Sequence, residues 1–134
     1  MKKWAHLIFG LALFVVFVMT GNYMRVDFPD KDVISQDLRL LMRSRHIYIL
    51  FNALIHIALG IYLQIRPRLW QRLAQYVGSL ALTAASVYLV IAWRTETYEL
   101  QHFSDLSREG IYLSLAGIVL HLIGGVSGTA KKEN

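Results

Sequence analysis

Four long, almost charge-free apolar runs dominate this chain: Trp4 to Thr20, His46 to Gln64, Leu73 to Trp93 and Ile111 to Val126. A hydrocarbon layer of ~30 Å is crossed by ~20 helical residues at 1.5 Å each, with ~17 at the low end, so the first and fourth runs are short but sufficient. Backbone N–H and C=O groups in lipid must be paired within the segment, which makes each run a helix rather than a strand. The expected fold is therefore all-α, an integral membrane four-helix up-down bundle forming one transmembrane domain over residues 1–134. Its helices are expected at about 4–20, 46–64, 73–93 and 111–126, with the longer connections at 21–45 and 94–110.

Composition agrees. The chain is 55% hydrophobic and 17% charged, against roughly 45–50% and about 25% in an ordinary soluble domain. It has no cysteine, which removes disulfide scaffolds and cysteine-based zinc ribbons. The first run, preceded by Lys2 and Lys3, also has the look of a signal peptide, with cleavage after Thr20 as the alternative to a retained helix. Its apolar stretch exceeds the ~7–15 residues of a signal core and lacks an Ala-x-Ala site, so retention is the expectation.

Charge sets the expected orientation. Lys2 and Lys3, the turn with Arg66, Arg68 and Arg72, and the tail with Lys131 and Lys132 form short basic pieces at one side of the bundle. On the other side Arg25, Lys31, Arg39, Arg43, Arg45, Arg94 and Arg108 are diluted by Asp27, Asp30, Asp32, Asp37, Glu96, Glu99, Asp105 and Glu109. Dense positive charge in short loops marks the cytoplasmic side, so both termini are expected there. Trp4, Tyr62, Trp70 and Tyr76 should lie at the inner interface, and Tyr23, Tyr48, Trp93 and Tyr112 at the outer one. The net charge of +5 is thus a topology signal. A nucleic-acid surface would need basic residues gathered on one soluble face, and none is expected. In the first outer connection Val33, Ile34, Leu38 and Leu41 recur at helical spacing from a start near Asp32 or Ser35. That segment either lies on the outer leaflet or extends the second helix upward.

The stretch RSRHIYILFNALIHIALGIYLQ, Arg43 to Gln64, with MRVDFP at Met24 to Pro29, resembles a group of small uncharacterised bacterial four-span membrane proteins. The resemblance implies the bacterial inner membrane and four spans. It implies no activity. Asn is common at the place of His56 in that group, which the resemblance turns into an argument against His56 as an indispensable ligand.

Polar residues inside a membrane are costly and each needs a partner. In the second helix Tyr48, Asn52, His56, Gly60 and Gln64 recur every four residues; in the fourth Gly110, Ser114, Gly117, His121, Gly124 and Gly128 form a similar stripe. The third adds Ser79, Thr83 and Ser86 on one side. These stripes should face the bundle interior, where histidine, serine and asparagine act as hydrogen-bonding glue and small residues allow close helix contact. His56 and His121 fall at matching depth on helices expected to face each other diagonally. That pairing, with Gly60 and Gly117 a turn away, is also what bis-imidazole ligation of haem b would use. His6 is expected to snorkel to the inner interface. His46 and His102 lie among outer acids without a metal-ligand spacing, so no metal site is expected. Arg43 and Arg45 suit lipid phosphates or neighbouring acids such as Asp37.

Catalytic motifs are missing: no His-Glu-x-x-His, no Gly-x-Ser-x-Gly, no phosphate-cradling glycine loop and no paired intramembrane carboxylates. Three functional readings stay open. One is a non-catalytic accessory or assembly component of the membrane, another a haem-b redox module on His56 and His121. The third is an oligomeric channel or transporter subunit whose pathway follows Asn52, His56 and His121, with Ala81, Ala85, Gly124 and Gly128 available for self-association. The expected partners are the lipid bilayer and either a membrane protein or further copies of the chain.

Overall fold

A computed structural model describes residues 3–26, 35–96 and 105–125. They form four helices and no strand: α1 (Lys3–Val26), α2 (Gln36–Tyr62), α3 (Leu69–Thr95) and α4 (Asp105–Gly125). Each is long and apolar enough to cross a membrane. The helices run antiparallel in chain order, so α1 and α3 begin, and α2 and α4 end, at the end of the bundle that carries Lys3, Arg66, Arg68 and Arg72. We call this the basic end.

The helices extend beyond the apolar runs. α1 continues to Val26 and α2 begins at Gln36, so much of the connection expected at 21–45 is helical. Ser35 starts α2: its hydroxyl accepts from the Leu38 N–H at 3.3 Å, and its carbonyl from the Arg39 N–H at 3.2 Å. The first satisfies a donor that a helix start leaves orphaned, and the second is the first bond of the helix itself. The spacing of Leu38 and Leu41 thus belongs to an upward extension of α2; Val33 and Ile34 lie outside the described residues. α2 ends at Tyr62, with Leu63 already extended, and Pro67 further along disfavours helical geometry at Arg66.

α4 starts earlier than its apolar run because Glu96, just past α3, caps it from a distance. The Glu96 carboxylate accepts from the N–H groups of Leu106 at 2.9 Å and Ser107 at 3.3 Å, and from the Ser107 hydroxyl at 2.7 Å. A negative group at a helix N-terminus meets both unpaired donors and the positive end of the dipole.

The helices pack as two tight hairpins, α1 on α2 and α3 on α4, joined mainly by α2 against α3; α2 and α4 scarcely touch. Glycine makes the hairpins tight. A Cβ on Gly60 would lie 2.6 Å from the backbone of Leu7, and one on Gly117 would lie 2.6 Å from the Leu82 side chain. The core of the bundle buries Ile49, Ala53, Leu82, Ala85, Leu89 and Ala92. The outer faces, from Ile8 and Val15 on α1 to Val119 and Leu122 on α4, are exposed and apolar.

Trp4, Tyr62, Trp70 and Tyr76 towards the basic end are all exposed. Trp93 does not join the opposite belt. It is buried and meets Tyr23 edge-on, with ring centroids 5.7 Å apart.

Candidate functional site

The seam carries three polar clusters at successive depths, each linking one hairpin to the other. Nearest the basic end, His6 of α1, His56 of α2, Ser79 of α3 and His121 of α4 converge. The Nδ1 atoms of His6 and His56 are 2.8 Å apart. His6 Nε2 is 2.9 Å from the Ser79 hydroxyl, which is also 3.3 Å from His121 Nε2 and 2.8 Å from the Gln75 carbonyl. His6 and His56 have no exposed surface, whereas His121 is half-buried.

With all three imidazoles neutral, one proton assignment satisfies these four contacts. A carbonyl oxygen can only accept, so Ser79 donates to Gln75, and the Nε2–H groups of His6 and His121 donate to Ser79. His6 Nδ1 is then bare and accepts from His56 Nδ1–H. Two nitrogens, Nε2 of His56 and Nδ1 of His121, make no hydrogen bond of good geometry, although His56 also lies against the Leu82 backbone. On this assignment both are acceptors.

His6 is a correction to the sequence reading. Instead of snorkelling beside Lys2 and Lys3 it points inward, on the stripe His6, Gly10, Leu13 and Thr20 that α1 buries. Its spacing with Gly10 and Leu13 is the signal that could have placed it. The inserted His6 ring also decides whether haem fits between His56 and His121. Its centroid is 5.0 Å from that of His56 and 5.9 Å from that of His121. The space beside Gly60 is taken by Leu7, and that beside Gly117 by Leu82. A flat macrocycle between two imidazoles needs the room these side chains fill. The residues present do not fit a bis-histidine haem.

The middle cluster centres on Asn52. Its Oδ1 lies 3.0 Å from the Ser114 hydroxyl and 3.5 Å from that of Ser86; its Nδ2 donates to the Tyr48 carbonyl at 3.2 Å. Asn52, Ser86 and Ser114 are all buried. Ser86 and Ser114 also lie 2.9 and 2.8 Å from the carbonyls of Leu82 and Gly110, a turn back on their own helices. Thr83 donates to the Ser79 carbonyl at 2.9 Å and is half-buried.

At the far end Arg45 and Glu96 are buried together. Arg45 Nη2 is 3.7 Å from Glu96 Oε2, with side-chain exposures of 3% and 6%. Arg45 Nε donates to Ser107 at 3.1 Å. Of the partners expected for Arg45, lipid phosphates or neighbouring acids such as Asp37, the structure shows an acid, Glu96. Beside it, His46 stacks on Phe17 at 4.0 Å and lies 2.8 Å from the Thr20 hydroxyl, tying α2 to α1. His102 lies outside the described residues. Among the described residues no group of three or more histidines and carboxylates is disposed to hold a metal ion.

No family model, curated protein or solved structure matches this chain.

Proposed function

We propose that this chain is a small multi-pass protein of the bacterial inner membrane, with both termini cytoplasmic, that works as a non-catalytic accessory or assembly component. The observation that carries this reading is how the interior polar groups are used. All three clusters join the α1/α2 hairpin to the α3/α4 hairpin through side-chain contacts. Interhelical hydrogen bonds of this kind are worth about 0.6 kcal/mol on average and up to about 1.7. Several of them at three depths make a rigid scaffold rather than a conduit. The scaffold offers broad apolar faces on α1 and α4, suited to lipid or to a partner's helices. The basic short loops and the resemblance of Arg43 to Gln64 to bacterial four-span proteins support the membrane and the orientation.

The test is site-specific photocrosslinking in cells from Val15 on α1 and Val119 on α4. A discrete adduct with one other membrane protein, from at least one of these positions, supports the accessory reading. Adducts with lipid alone from both would contradict it.

A second reading is favoured by the linked histidines. A channel or transporter subunit handling protons would use the contacts from His121 through Ser79 and His6 to His56. Proton flux into liposomes that disappears in His6→Phe and His56→Phe would favour it over the first.

A further inference from the structure

Between α2 and α4, where the helices scarcely touch, a groove of about 600 Å³ opens along the outside of the bundle. Its apolar walls include Phe51, Ile55 and Leu59 of α2 and Ile118 and Leu122 of α4. Arg66 and Gln75 stand at its basic end, and His121 lines it beneath them. We propose that this groove holds one acyl chain of an anionic phospholipid, whose phosphate sits on Arg66.

Length fits a lipid of a single leaflet. From Phe51 to Tyr62 the groove follows eleven steps of helix, ~16 Å at 1.5 Å per residue. One leaflet contributes half of a ~30 Å hydrocarbon core, ~15 Å. Charge fits an anion. Arg66 is held in place by its own backbone N–H, which donates to Gln75 Oε1 at 3.2 Å, and by Nη2, which donates to the Gly125 carbonyl at 2.9 Å. No carboxylate among the described residues pairs with it. A fixed guanidinium without a counter-charge, at the head of a leaflet-long apolar groove, is the recognition chemistry of a lipid phosphate. Arg68 in the same turn and Arg72 in the first turn of α3 add positive charge at this end.

The experiment is lipid binding by the full-length protein, delipidated in mild detergent. It is titrated with phosphatidylglycerol or phosphatidylcholine of the same acyl chains and read by native mass spectrometry. One phosphatidylglycerol should bind at least fivefold more tightly than phosphatidylcholine, the factor expected from one basic residue near an anionic surface. Arg66→Gln should remove that preference, and Arg68→Gln should weaken it by no more than twofold. Ala58→Phe adds bulk to an exposed part of the groove wall and should reduce binding of both lipids while the helical signal and monodispersity are kept. Equal binding of the two lipids by the wild type, or a preference that survives Arg66→Gln, would overturn the proposal. So would displacement of the lipid by a quinol with loss of that displacement in His121→Phe, because the groove would then be recognising a neutral head group at the imidazole.

Discussion

The Nδ1 atoms of His6 and His56 lie 2.8 Å apart in the buried interior, so the two rings share a single hydrogen between like nitrogens. One must donate and the other accept, and the contact ties α1 to α2 within the cluster that also crosses to α3 and α4. Losing either ring leaves the other nitrogen unpaired in a place water does not reach.

His6→Ala should therefore destabilise the bundle by about 1–3 kcal/mol, the cost of a buried polar group left without its partner. Reversible unfolding in mixed micelles of increasing denaturing detergent measures it. In a double-mutant cycle with His56→Ala the coupling should fall near 0.6–1.7 kcal/mol, the range for interhelical hydrogen bonds in membranes.

Arg45 and Glu96 are both removed from solvent, so breaking the pair one partner at a time should be expensive. Glu96→Ala should cost about 3–5 kcal/mol, because it strands the guanidinium and also uncaps α4. Arg45→Met combined with Glu96→Ala should cost less than the sum of the single changes. Hydrogen exchange should show the first turn of α4 opening in both variants that lack Glu96.

The glycine contacts predict an ordering. Gly60→Ala drives a Cβ into the backbone of Leu7 at 2.6 Å and must push α1 from α2, whereas Gly117→Ala meets the Leu82 side chain at 2.6 Å and the backbone only at the Gly78 carbonyl, 2.9 Å away. Overpacking costs about 1–3 kcal/mol, with Gly60→Ala at the upper end and Gly117→Ala below it. Gly125→Ala meets nothing within 4 Å and should be close to neutral. The same unfolding assay ranks the three.

If the His6 ring closes the space between His56 and His121, purified protein supplied with haem should show no Soret band before or after dithionite. A band lost in both His56→Ala and His121→Ala would show that the interior opens to admit the macrocycle.

How much of this was legible in the sequence depends on which physical signal each residue carried. The four helices and the inward faces of α2, α3 and α4 follow from apolar run length and from polar residues recurring every three or four positions. Asn52, His56, Ser79, Ser86 and Ser114 are all buried. His6 was misplaced because one imidazole near two lysines looks interfacial, and only its register with Gly10 and Leu13 says otherwise. The diagonal facing of α2 and α4 was an assumption about bundle symmetry. The hairpins instead meet through α2 and α3, since Gly60 and Gly117 are spent inside their own hairpins. The early start of α4 is signalled by the helix-start serines Ser104 and Ser107, but its cap is hidden, because Glu96 is an acid that sequence patterning assigns to a solvated loop. Trp93 misled for a related reason: an indole at the end of an apolar run suggests a membrane interface, but Tyr23 covers it.

The central claim is that the interior histidines bond to one another and to Ser79, locking the two hairpins together. Nitrogen NMR of the protein labelled at histidine, in lipid nanodiscs, tests it most directly. The account predicts a through-hydrogen-bond coupling between the Nδ1 nuclei of His6 and His56, with His6 carrying its own hydrogen on Nε2. Ring signals of His6 that exchange freely with water, with no coupling to His56, would contradict it.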